Sequence, residues 1–387
     1  MTDYRQAVRL YADKITELRK AFHRRPELGN EEYETADRIE SFLRDCGIET
    51  RRVLGTGIVG VLHGGRPGRT VALRSDIDAL PVQEATGCPF ASEIDGKMHA
   101  CGHDVHMAAA LGAARMLAAE REFLPGRIVF LFQPDEEMNG GAERMIREGC
   151  LEGVEAVFGA HVSPDLPEGC AGFRSGKFYA ASDMFVITVT GKSSHGAERE
   201  KGIDALAAAA KMTTALLALP PEITRDRAVL TVGKMHAGTA RNIVPDTAVL
   251  EGILRSLGPE TRKALKDGLR ETAERIARET GTKADVRIIE SYPGVVNDGA
   301  MTEFAASAAA KLLGPDHVIR IPEPTMVTED FGYFLEEVPG SFYHIGAGSP
   351  YPLHNPQFLP TDEAVLTGAA LHAAVLTAFL NTGTETE

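Results

Sequence analysis

Residues 127–137 read RIVFLFQPDEE. Isoleucine, valine, phenylalanine and leucine follow one another with no polar residue between them. An unbroken apolar run of strand length is read as a strand buried on both faces, as in a parallel sheet. The run stops at a polar cluster, Gln133-Pro134-Asp135-Glu136-Glu137. The pattern recurs twice: RTVALR (69–74) runs into Ser75-Asp76-Ile77-Asp78-Ala79-Leu80-Pro81, and EAVFGA (155–160) runs into His161. Helical stretches, HDVHMAAALGAARMLAAE (103–120) and another near 140–148, lie between the strands. Strands alternating with helices predict an α/β fold, a mostly parallel sheet covered by helices. In such sheets ligands bind beyond the carboxyl ends of the strands, so the three polar clusters mark one crevice.

Outward from this core, Tyr4 to about Cys46 is helical, broken at HRRPELGN by Pro26 and Gly29. GIVGVLHG (57–64) is β-rich, and Asp104 is expected to cap the helix that follows it. The texture changes near Lys177. DMFVITVTG (183–191) is a strand, and IDALAAAAKMTTALLAL (203–219) is a helix expected to stop at Pro220-Pro221. AVLTVGKMHAG and TAVLEGILRS are two strands, PETRKALKDGLRETAERIARETG is a helix closed by Gly281, and KADVRIIE is a last strand. The order is βαββαβ, the ferredoxin-like α+β unit. The α/β texture then returns, with helices at 299–313 and about 362–380. The chain thus divides into a discontinuous α/β domain in two parts, 1–176 and 292–387, and an inserted domain, 177–291.

Composition narrows the function. The 387 residues carry 41 Lys plus Arg against 55 Asp plus Glu, a net charge of −14. That balance disfavours nucleic-acid binding, which needs basic patches. No run approaches the roughly 20 apolar residues of a membrane span, and no export signal opens the chain. The scattered, odd-numbered cysteines Cys46, Cys88, Cys101, Cys150 and Cys170 read as reduced thiols of a cytoplasmic protein.

Gly55-Thr56-Gly57-Ile58-Val59-Gly60 fits a dinucleotide fingerprint, but its glycines run into a strand where the motif needs a helix; it reads as a turn between strands. The chemical signal is MHACGHDVH (98–106). In an extended or looped chain positions i and i+2 point the same way, so Cys101 and His103 can converge on one cation. A thiolate with an imidazole suits zinc or a similar ion. Taken alone, a loop cysteine and a solvated histidine explain these two residues equally well. His99 and His106 are weaker candidates, the latter also a packing or capping residue.

RSDIDALP, MHACGHD, QPDEE, GAH and LHNP resemble the M20 metallopeptidase family, in its amidohydrolase branch of hippurate hydrolases, aminoacylases and indole-acetyl-amino-acid hydrolases. GKSSHG, GTARNIVPDT, TEDFGYF and PGSFYHIG extend the likeness over nearly the whole chain. The resemblance implies two divalent metal ions per chain, zinc or manganese before cobalt or nickel. It implies Cys101, His103, Glu137, His161 and His354 as ligands, and Glu136 as general base. Asp78 would stand behind the ligands, orienting one of them or stiffening the loop, with Asp76 a weaker candidate for the same place. In the inserted domain, acting as lid and dimerisation domain, His195 would reach the substrate carbonyl, and Asn242 and Arg255 would bind substrate. Without the resemblance, these three read as a loop histidine, a turn former before Pro245 and a strand-end charge. Ala197-Glu198-Arg199-Glu200 departs from the family's proline-containing stretch. His23, His63, His236, His317, His344 and His372 read as structural.

The expected activity is metal-dependent hydrolysis of N-acyl amino acids to a carboxylate and a free amino acid, by a homodimer paired through the inserted domains. His195 would act in its own or the partner chain's site. A dipeptidase or aminopeptidase on the same fold is the nearest alternative. Farther off are a non-catalytic metal-stabilised binding protein and thiol catalysis by Cys101 with His103, which leaves Glu136, Glu137 and His161 without a role.

Overall fold

The computed structural model describes residues 2–382. The chain forms two compact units. The first takes the chain up to Gly176, Asn297–Pro322 and the chain from Tyr333 onward; the second takes Lys177–Val296 and Glu323–Gly332.

The first unit is built on an eight-stranded sheet. Its strands are β1 (Glu49–Val53), β2 (Gly57–His63), β3 (Arg66–Asp76), β4 (Pro125–Gln133), β5 (Ala156–Ser163), β6 (Ala171–Phe173), β7 (Val318–Arg320) and β8 (Gly340–Gly346). Their spatial order is β1-β2-β4-β3-β5-β8-β6-β7. The central strands β4, β3, β5 and β8 are parallel. β1 and β2 form an antiparallel hairpin at one edge, turning at Leu54-Gly55-Thr56. Parallel strands align their carboxyl ends: Gln133 lies beside Asp76 in register, and His344 beside His161. The polar clusters therefore meet along one rim.

Helices α1 (Ala12–Arg24), α2 (Tyr33–Asp45), α3 (His103–Ala119), α4 (Gly299–Leu313) and α5 (Asp362–Asn381) cover the sheet. α3 and α5 are buried along nearly their whole length, and their alanines permit close approach. A Cβ on Gly112 would stand 2.9 Å from that of Ala369, and one on Gly368 3.0 Å from that of Ala109. α5 corrects one expectation: it is a 20-residue helix long and apolar enough to cross a membrane. Its charged residues, Asp362 and Glu363, are confined to the first turn, and its apolar surface packs into the core.

α3 brings a second correction. Its N-cap is Gly102, left-handed at φ 91°, and no side chain caps it. Asp104 lies inside the first turn, fully buried, where its Oδ2 accepts from Arg19 Nε at 2.7 Å and His23 Nδ1 at 2.8 Å. A charged guanidinium and an imidazole bind a carboxylate more strongly than backbone amides do.

The second unit has a four-stranded antiparallel sheet, in the order Ala228–Ala237, Thr247–Ser256, Ala181–Thr190, Lys283–Glu290. Helices Ala205–Ile223 and Pro259–Thr280 share an apolar core with it. The first helix does not stop at Pro220-Pro221 but includes both. Proline removes a donor and keeps its acceptor; the Pro220 carbonyl accepts from Thr224 N–H at 3.1 Å. Segment 323–332 joins this unit, because Thr325 N–H donates to Phe178 O and Val327 O accepts from Ala180 N–H. A boundary at 292 places that segment in the other domain.

Candidate metal centre

Each of the first unit's rim residues comes from a strand end or the loop beyond it. His161 lies near the end of β5. Glu136 and Glu137 follow β4, and Asp78 follows β3. Cys101 precedes α3, and His103 opens it. His354 sits in the loop after β8, with its N–H bonded to Ala100 O at 2.8 Å, which ties that loop to the cysteine loop.

Two donor groups share Cys101: Cys101 with His103 and His161, and Cys101 with Glu137 and His354. Cys101 Sγ is 3.3 Å from both His161 Nε2 and His354 Nε2. Glu137 Oε1 is 3.3 Å from His354 Nε2 and 3.9 Å from His103 Nε2. Glu136 belongs to a third group with His103 and Glu137. Cys101, His103, Glu136, Glu137, His161 and His354 are thus brought together.

The hydrogen bonds fix how the imidazoles face. His103 Nδ1 donates to Asp78 O at 2.8 Å, and His161 Nδ1 donates to Val162 O at 2.7 Å. Both Nε2 atoms are left toward the crevice, and His103 Nε2 is buried without a hydrogen-bond partner. Anchoring one ring nitrogen to an oxygen while the other faces inward is the usual arrangement of metal-binding histidines. Asp78 also accepts the Glu137 N–H on Oδ2 at 3.0 Å.

Electrostatics favour a cation here. Burial opposes protonation of His103, yet Asp76, Asp78 and Glu137 raise it to about 10. Burial would raise Asp76, but His103, His106 and Arg74 hold it well below the usual carboxylate range. Burial, then Glu137 and Glu136, push the Cys101 thiol well above its ordinary value. Reactive thiols have lowered values, so Cys101 is set against acting as a nucleophile and needs a cation to become a thiolate. A thiol, imidazoles and carboxylates form a donor set suited to zinc and its borderline neighbours. The residues present fit a divalent metal centre.

A buried array whose pairing the sequence did not show lies behind the donors. His106 Nδ1 donates to Asp76 Oδ1 at 2.7 Å, and its Nε2 accepts from Val162 N–H at 2.9 Å. Arg74 bridges Asp76 Oδ2 at 2.7 Å and Gln133 Oε1 at 2.8 Å. MHACGHDVH carries His106 in view, but nothing local shows that it pairs with Asp76, thirty residues away. His372 meets Tyr343 OH at 2.7 Å in the core, and burial lowers both it and His344 to about 3. His23 sits between Asp104 and Glu84, 3.2 Å from Glu84 Oε1.

In the second unit, His195 and Asn242 are exposed and Arg255 is half-buried. His195 pairs with Ile243 in a short antiparallel bridge, which places Asn242 beside it. His195 Nδ1 accepts from Ala197 N–H at 3.2 Å, so the imidazole carries its hydrogen on Nε2 when neutral. Arg255 Nη1 is buried without a hydrogen-bond partner.

The profile of peptidase family M20/M25/M40 matches residues 72–378. The chain is 39% identical over 354 residues to an N-acetyl-L-cysteine deacetylase of Bacillus subtilis, covering 90% of this chain and 84% of that one. It is 36% identical over 379 residues to an IAA-amino acid hydrolase of Arabidopsis thaliana, covering 95% and 85%. A crystal structure of a dinuclear metal binding peptidase from Bacillus subtilis superposes with a TM-score of 0.87 at 36% identity, covering 97% of this chain and 99% of that one.

Proposed function

The chain belongs to peptidase family M20/M25/M40 and is a metal-dependent amidohydrolase; from that premise we propose that it cleaves N-acyl amino acids to a carboxylate and a free amino acid. The observation that carries the reading is His103, whose Nδ1 is anchored while its buried, unpartnered Nε2 faces Glu137. We assign Cys101, His103, Glu137, His161 and His354 to two divalent cations, zinc or manganese before cobalt or nickel. When bound, these supply the charge that polarises the scissile carbonyl and acidifies water.

The chain's own groups do the rest. Glu136 takes a proton from the attacking water and passes it to the leaving amine. His195, with its hydrogen on Nε2, donates to the developing oxyanion. Arg255, with an unpartnered Nη1, pairs with the substrate carboxylate alongside Asn242. Asp78 fixes the orientation of His103 and the backbone of Glu137. The enzyme acts in the cytoplasm as a homodimer, paired through the domain at 177–291. Edge strands Ala228–Ala237 and Lys283–Glu290 of that sheet support this, since open edges are normally paired or covered.

The test is a mass-spectrometric screen of the metal-loaded enzyme against N-acyl amino acids, the matching N-acyl amines and free dipeptides. N-acyl amino acids should be consumed first. Preferential cleavage of dipeptides would replace this reading with a dipeptidase. Consumption of none, with metal retained, would sink it.

A further inference from the structure

Two sequence features have no part in this chemistry: the loop that closes HRRPELGN and runs on to Glu32, and the turn at Gly55-Thr56-Gly57. Both converge on Asp135, the residue before Glu136. Asp135 is left-handed at φ 57°, a region uncommon outside glycine that aspartate and asparagine tolerate better than other side chains do. Its carboxylate is fully buried. Oδ2 accepts from Asn30 Nδ2 at 2.6 Å and Arg144 Nη2 at 2.8 Å, and Oδ1 lies 3.3 Å from Asn139 Nδ2.

Its backbone is held as well. Asp135 N–H donates to Glu32 Oε1 at 2.9 Å, while Glu32 Oε2 accepts from Thr56 Oγ1 at 2.8 Å. Glu32 is wholly buried. Asn30 is itself left-handed at φ 64°. A Cβ on Gly29 would stand 2.3 Å from Asp135 Oδ1, so the loop can lie this close only with glycine there. Two residues on, Glu137 N–H is held by Asp78. The chain carrying both glutamates is pinned on either side, and a right-handed or extended Asp135 would turn the peptide after it and swing Glu136 away.

We propose that Asn30 and Glu32 are positioning residues of the active site: by holding Asp135 left-handed they aim Glu136 into the crevice beside Glu137. The inference rests on Glu136 being the base, as proposed above. It is tested by kcat and KM of Asn30→Ala, Glu32→Ala and Asp135→Ala, with Glu32→Gln and Asp135→Asn as conservative partners and Glu136→Gln as reference. Rates are divided by metal-loaded sites counted by elemental analysis. Each alanine variant should lose at least about tenfold in kcat, with KM within about twofold. Glu32→Gln keeps an oxygen for the Asp135 N–H, and Asp135→Asn keeps tolerance of the left-handed region, so both should recover most of the loss.

Unchanged kcat per loaded site in the alanine variants overturns the inference. So does an equal loss in Asp135→Asn and Asp135→Ala, because handedness would then not be the cause. If Glu32→Ala fails to fold, the Asn30 variant and the Asp135 pair decide. Near-normal kcat in Glu136→Gln would instead refute the base, and the inference with it, whatever the variants at 30, 32 and 135 do.

Discussion

Apart from His354, whose side chain is half exposed, the two units hold their candidate functional side chains in opposite ways. In the first, Cys101, His103, Glu136 and His161 are each less than a tenth exposed, and a buried array of Arg74, Asp76, Asp78 and His106 backs the imidazoles. In the second, His195 and Asn242 stand in solvent, and Arg255 keeps one nitrogen unpartnered. Donors for a small cation must be arranged before it arrives, since misplacement by an ångström loses the geometry. Groups that grip a substrate can be completed by the substrate itself. The first unit is therefore built like a mould and the second like an open hand.

Chelation should separate them most sharply. Removing divalent ions should abolish turnover, and zinc, manganese or cobalt should restore it; full activity in a preparation shown to be metal-free would erase the contrast. Glu136→Gln comes next. It should retain metal yet lose about 10²- to 10⁴-fold in kcat, the range of a lost general base. Loss of metal instead would make Glu136 a ligand.

A third test uses the mould's own strain. Burial pushes Glu32 up to about 7, against the hydrogen bonds from Thr56 and Asp135. An acid with a raised folded value holds its proton longer when folded, so its contribution to stability falls as pH rises from its unfolded value toward 7. Glu32→Gln removes that dependence. Relative to the variant, the parent should lose on the order of 3 kcal/mol between pH 4.5 and 8, measured by denaturant unfolding at several pH values. Parallel stability curves would mean that Glu32 does not titrate there. The smallest effect belongs to the open hand. Arg255→Ala should weaken kcat/KM on N-acyl amino acids by roughly ten- to a hundredfold, a charge-assisted hydrogen bond, and leave the matching N-acyl amines nearly unchanged. Equal losses on both would make Arg255 structural.

Much of this was legible because it is local. The runs before Gln133, Ser75 and His161 are unbroken and apolar, so both the strands and the rim where they end could be read off the chain. MHACGHDVH announced its donors: of the extended or looped chain expected there, the looped form holds, with Cys101 and His103 converging through a left-handed Gly102 and the first turn of α3. What stayed hidden depends on partners far apart in sequence. Asp104 looks like a helix cap until Arg19, 85 residues away, claims it. Nothing near Asp135 shows that Glu32 and Asn30 determine its handedness. Pro220 reads as a stop because the pattern registers its missing donor and overlooks its acceptor.

The path of the chain through the larger sheet also bears on how the protein is made. β8, drawn from residues 340–346, lies between β5 and β6. α5, the last helix, covers α3. During synthesis the sheet therefore waits with a bare edge on β5, and α3 waits with its alanine face wet, until residues 340–381 have been translated. Residues 177–296, which form a continuous four-stranded sheet and its two helices, can fold in the meantime. A ribosome stalled near residue 330 would present an unpaired strand edge and an uncovered apolar helix together, the combination that chaperones bind and aggregates grow from.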